Sequence, residues 1–252
     1  MTLYFFSGFL FLFGLAIGCF LNVVIYRLFS GQSIIFGRSR CPQCKKDIFW
    51  HDNIPILSFI NLSGRCRFCE KKISFQYPLV EFFTALIFVL FYLKFGLTLQ
   101  FLVYLIFTGF LIVIFVYDLK YYLILDRITI PAIIIAILLN LYLGINFWIL
   151  LSGAIIGGGF FLIQLLISSG RWIGGGDIRL GILMGAMLGW QKLLAALFLA
   201  YILGAIIGII LIILKKKKMS SLVPFGTFLS LATLIILLWG EAILVWYLNL
   251  IF

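Results

Sequence analysis

The residues of this chain able to carry chemistry are few: four cysteines in two pairs, and eight acidic residues, of which two stand out by position. Cys41-Pro42-Gln43-Cys44 and Cys66-Arg67-Phe68-Cys69 are C-x-x-C pairs with 21 residues between Cys44 and Cys66. Two residues between cysteines let both sulfurs face one ion while the backbone turns around it, and four thiolates at tetrahedral positions suit structural zinc. Lys and Arg beside the cysteines favour thiolates, which fits a metal site or a redox pair. A reducing compartment disfavours disulfides there. His51 lies between the pairs as an alternative ligand, although four cysteines already complete a site. Cys19, inside an apolar run, reads as a small apolar filler.

Among the acids, Asp118 ends one apolar run and Asp177 opens another, behind Gly174-Gly175-Gly176. A carboxylate at the end of a membrane span is costly and usually functional. Two facing carboxylates share a proton, so one can take a proton from water while the other polarises a scissile carbonyl. Glycines before Asp177 would let an extended substrate approach closely. The blander reading is that each aspartate caps a helix or pairs with a basic residue. Asp126, equally deep and placed as an N-cap, competes with Asp118. Asp47 and Asp52 look solvated, Glu81 is placed to hold the loop against the membrane, and Glu241 falls beyond the last span.

The elements that must position these groups follow from composition. Hydrophobic residues make up 65% of the 252 and charged residues only 11%, far from the balance of a soluble domain. Continuous rather than alternating apolar runs exclude a β-barrel. The expectation is an all-α polytopic membrane protein. Its runs are 3–28, 79–93, 99–117, 128–143, 147–168, 178–190, 192–214 and 222–239, giving about eight transmembrane helices. The first run reads as a retained span rather than a signal peptide. Residues 29–78 form a long polar loop between the first and second spans, and they hold all the paired cysteines. If that loop is cytoplasmic, 17 of the 19 basic residues, Lys215 to Lys218 included, fall inside. Only Lys94 and Lys192 remain outside. The +11 net charge is then an orientation signal with both termini outside, not a nucleic-acid surface. No internal repeat of the kind that pairs transporter halves is evident.

Several motifs together resemble the prepilin peptidases, or type IV leader peptidases, over nearly the whole chain. They include Gly18-Cys19-Phe20-Leu21-Asn22-Val23-Val24-Ile25-Tyr26-Arg27-Leu28, the two cysteine pairs, Asn53-Ile54-Pro55 and Tyr77-Pro78-Leu79-Val80-Glu81. Asp118-Leu119 with Leu125-Asp126 and Thr129-Ile130-Pro131, then Gly174-Gly175-Gly176-Asp177 and Pro224-Phe225-Gly226, complete the set. Ser is more usual at Cys19, and Pro at Leu125 and Thr227. The resemblance implies that Asp118 and Asp177, rather than Asp126, are the catalytic pair. It implies cleavage of a basic leader from type IV prepilins or type II secretion pseudopilins at the cytoplasmic face of the bacterial inner membrane. It also implies methylation of the new N-terminus from S-adenosylmethionine. On this reading residues 1–94 hold the zinc loop and the methyltransferase region, and 95–252 form the aspartic peptidase domain. A presenilin-like intramembrane protease and a non-catalytic zinc-stabilised transporter or scaffold are the rival readings.

Overall fold

The structure is a computed structural model that describes residues 2–214 and 223–251; the basic block Lys215–Lys218 lies outside them. The described residues are helical, with no strand among them. The helices are α1 (Thr2–Ser30), α2 (Leu57–Asn61), α3 (Gln76–Phe95), α4 (Leu99–Tyr121), α5 (Asp126–Tyr142), α6 (Phe147–Ser168), α7 (Gly175–Ile213) and α8 (Phe225–Ile251). Six of these are long and apolar enough to cross a membrane, which makes this a multipass protein. α5, with 17 residues, sits at the short end of spanning length.

The eight apolar runs map onto seven long helices because two of them, 178–190 and 192–214, are the arms of α7. Gly189 breaks α7 at φ 71°, ψ 171°, a backbone region that glycine tolerates. Contacts along α6 show the chain folding back there. Gly153 abuts Gly185, Gly189 and Trp190, while Gly157 abuts both Gly181 and Leu193. Moving from 153 to 157 on α6 thus runs down one arm and up the other. A Cβ at Gly157 would collide with the Gly181 carbonyl, so these helices pack backbone to backbone, as small residues allow in lipid. Buried Asn140 completes the reversal. Its Nδ2 donates to the Ala186 carbonyl at 2.7 Å and the Met187 carbonyl at 3.1 Å. A continuous helix would pair those two carbonyls with residues just beyond the break.

The last helix runs on to Ile251, so Glu241 lies within α8 rather than past it, and it pairs with Lys192.

Two compact units divide the chain, Met1–Phe101 and Leu102–Phe252. In the first, α1 lies against α3 through glycines: a Cβ at Gly14 would come within 2.5 Å of Ala85 Cα, and one at Gly18 within 2.6 Å of Glu81 Cα. Asn22 donates to the Tyr77 carbonyl at 3.1 Å and accepts from Gln76 at 3.3 Å, tying the two ends of the polar loop together. In the second, α7 is the central element, packed on α5, α6 and α8.

Candidate active site

Asp118 lies in the last turn of α4, where Tyr122 in a left-handed conformation (φ 57°) ends the helix and its N–H closes on the Asp118 carbonyl at 2.8 Å. Asp177 is the third residue of α7. Both are buried, at 4% and 8% exposure. Each carboxylate is fixed by a helix N-terminus. The Gly174 N–H donates to Asp177 Oδ2 at 3.0 Å, so Asp177 caps its own helix. The Thr227 N–H donates to Asp118 Oδ2 at 2.8 Å, with the neighbouring Gly226 amide also directed at the carboxylate. Asp118 therefore caps α8 from 109 residues away. The first amides of a helix lack partners within it and favour negative charge. The capping expected of each aspartate is present, for Asp177 on its own helix and for Asp118 on α8.

Ile124, in the turn after α4, links the two segments. A Cβ on Gly176 would meet Ile124 Cβ at 2.8 Å, and one on Gly226 would meet Ile124 Cδ1 at 2.8 Å and Asp118 Oδ2 at 2.9 Å. A side chain at either position would press on Ile124, and at 226 on the Asp118 carboxylate as well. Of the glycines before Asp177, Gly174 serves as N-cap with its N–H on the aspartate, Gly175 faces open space and Gly176 makes the close approach. Asp126 is different: it is half exposed and ion-paired to Arg179. Thr227, Gly226 and Ile124 were not legible as site residues. The Pro224-Phe225-Gly226 motif marked the place without a role, since its partner lies on another helix.

The four cysteines converge, with all four Sγ atoms within 4.8 Å of one another. Cys41 Sγ and Cys69 Sγ are 3.9 Å apart. A tetrahedral zinc with Zn–S of about 2.3 Å would place its sulfurs about 3.8 Å apart, so the donor set fits the ion. The two knuckles are copies offset by 66 − 41 = 25 residues. Lys45 N–H donates to the Cys41 carbonyl and Glu70 N–H to the Cys66 carbonyl, both at 2.9 Å, with Lys45 at φ 62° and Glu70 at φ 55°. A two-residue bridge closes each, Arg40 with Asp47 and Arg65 with Lys72. Amides of Phe68 and Cys69 bring the Cys66 thiol down to about 7, while at Cys69 the lowering by the Lys71 amide is outweighed by burial and the neighbouring sulfurs, which push that thiol up to about 11; metal binding requires the thiolate form of each. His51 is outside the cluster, stacked on Phe49.

Three further contacts anchor the loop. The buried Arg27 guanidinium donates to five backbone carbonyls, those of Ser33, Ile34, Phe36, Gly37 and Arg38, at 2.6–3.3 Å. Glu81 accepts the Ile56 N–H at 2.8 Å, as its position at the head of the second span suggested. Arg67 binds Asp52 through two nitrogens at 2.7 and 2.8 Å and holds that carboxyl below its ordinary range.

Two buried carboxylates are thus anchored in one multipass helical unit. The description "Type IV leader peptidase family" matches residues 105–209, and "Bacterial Peptidase A24 N-terminal domain" matches 12–95. Similar proteins carry the name prepilin leader peptidase/N-methyltransferase. That of Aeromonas salmonicida is 37% identical over 95% of this chain and 92% of its own length. Those of Bacillus subtilis (32% identical, 95% and 97%) and Pseudomonas aeruginosa (30% identical, 94% and 92%) are also similar. The chain belongs to the type IV leader peptidase family. No solved structure matches it significantly.

Proposed function

We propose that this protein removes the basic leader from type IV prepilins or type II secretion pseudopilins and N-methylates the new N-terminus. The observation that carries the peptidase reading is the pair of buried carboxylates, each held by a helix N-terminus and linked through Ile124. Asp118 and Asp177 are the catalytic pair, and Gly174, Gly175 and Gly176 form the loop that lets the substrate backbone approach. With one proton shared between them, one aspartate takes a proton from water as that water attacks the scissile carbonyl. The other donates its proton to the carbonyl oxygen. The tetrahedral intermediate then collapses, the C–N bond breaks, and the leaving amine takes up a proton. A dyad at the helix ends meets the junction between a substrate's apolar helix, which sits in the bilayer, and its polar leader.

Charge asymmetry supports an inner-membrane protein with the loop and the aspartates on the cytoplasmic side and both termini outside. The leader is basic, yet Asp47, Asp52 and Asp126, the acids best placed to receive it, already pair with Arg40, Arg67 and Arg179. Cys41, Cys44, Cys66 and Cys69 hold a structural zinc that folds residues 29–78. Residues 1–94 carry the methyltransferase region, with S-adenosylmethionine supplying the methyl group, and 95–252 carry the peptidase.

The test is Asp118→Asn and Asp177→Asn, each incubated with a prepilin in detergent and read by mass spectrometry. Both are expected to lose cleavage by at least a hundredfold, on the scale of removing an acid–base catalyst. Wild-type cleavage by either would sink the assignment.

A further inference from the structure

A peptide bond inside a helix is closed to a dyad until its backbone unwinds. Near the bilayer each N–H and C=O freed in this way is costly unless it finds a partner. A peptidase acting at the end of an apolar helix therefore needs polar side chains beside its aspartates to receive that backbone. Polar groups of this unit's helices mostly turn inward. Thr108, Thr129 and Thr233 return their hydroxyls to their own helices, and Asn140 serves the α7 reversal.

Gln164 on α6 and Tyr201 on the second arm of α7 differ. The Tyr201 hydroxyl donates to Gln164 Oε1 at 2.9 Å, and Tyr201 is 39% exposed. Once that bond is made, the pair still offers the Gln164 NH₂ as donor and the phenolic oxygen as acceptor. These are the complements of a peptide C=O and N–H. The pair lies beside the dyad. The Tyr201 ring packs on Phe225 with centroids 4.9 Å apart, and Phe225 immediately precedes Gly226 and Thr227, which hold Asp118. On the other side Phe161, one helical turn before Gln164, fills the space over Gly181, one turn past Asp177.

We propose that Gln164 and Tyr201 form a substrate subsite that hydrogen-bonds the unwound backbone next to the cut. The proposal rests on the peptidase reading above and adds to it a second set of binding residues. The experiment uses the full-length protein in detergent and synthetic prepilin peptides spanning the leader and the first turns of the apolar helix. In a set of these peptides the amides flanking the cut are replaced one at a time by esters, which removes one N–H each. Tyr201→Phe is expected to lower kcat/KM about tenfold on the all-amide peptide, the scale of one hydrogen bond, with an unchanged melting temperature. At one ester position the wild-type protein loses a similar factor and Tyr201→Phe loses nothing further. If Tyr201→Phe folds poorly, Gln164→Met is compared with wild type on peptides carrying thioamides one at a time, which weaken the C=O that the Gln164 NH₂ serves, and equal thioamide penalties at every position overturn the subsite. Equal ester penalties in wild type and variant at every position overturn the subsite. Cleavage by Asp118→Asn would instead overturn the peptidase reading, so the two failures are distinguishable.

Discussion

Replacing Gly226 by alanine isolates the geometry of the dyad from its chemistry. The new Cβ would lie 2.9 Å from Asp118 Oδ2, 3.1 Å from its Cγ and 2.8 Å from Ile124 Cδ1. Ordinary contact is about 3.5 Å, so the carboxylate must retreat by roughly half an ångström. It is then pulled off the Thr227 N–H, now 2.8 Å away. A hydrogen bond to a charged group contributes about 1.5–3 kcal/mol, which converts to about 10- to 150-fold in rate. Misplacing a reacting group by about 1 Å costs a similar factor. The backbone has little reason to fail, since alanine is the better helix former by about 1 kcal/mol. The expected result is kcat on a prepilin peptide lower by about 10- to 100-fold, with a fall of a few degrees in the melting temperature in detergent from the weakened α8 cap. Gly159→Ala serves as control, because a Cβ there meets nothing within 4 Å. Near-wild-type kcat for Gly226→Ala would refute the view that this contact positions Asp118.

Two further outcomes concern the loop. Arg27→Lys leaves three donors where the guanidinium serves five carbonyls, so at least two go unserved at about 1 kcal/mol each; hydrogen exchange across 33–38 should rise by tenfold or more. Cys41→Ser, or stripping metal with a chelator, should make residues 29–78 protease-sensitive and lower bound zinc from one equivalent per chain, measured by elemental analysis; an unchanged digestion pattern would count against a structural zinc.

What the sequence disclosed was local or periodic. Paired cysteines announce themselves by spacing, apolar runs by length, and the α7 fold-back by the gap between 190 and 192. Arg27 was legible as part of the opening motif and as a basic residue at a helix end, but nothing in its neighbours says that five carbonyls would wrap it. The knuckle repeat was hidden for a similar reason: only the cysteines recur as identities, while the shared turn lives in the backbone of Lys45 and Glu70. Gly226 and Thr227 escaped because capping is normally sought within a few residues, and here the cap comes from α4. Glu241 was misplaced since one acid in an apolar stretch looks like an end, whereas Lys192 neutralises it within α8.

The trans-capping of α8 also changes how lost function in this lineage should be read. The oxygen that receives the Thr227 amide belongs to the aspartate proposed above as catalytic, so on that reading one atom has two employers. A descendant that abandoned proteolysis would still need an acceptor at position 118 to keep the start of α8 in place. Asparagine could fill that post and alanine could not. Aspartate at 118 would thus be retained by architecture alone, and its survival in a divergent chain is not proof of activity. Position 177 has no such long-range duty, because its cap serves its own helix, and drift there should be the earlier sign that cleavage has been given up.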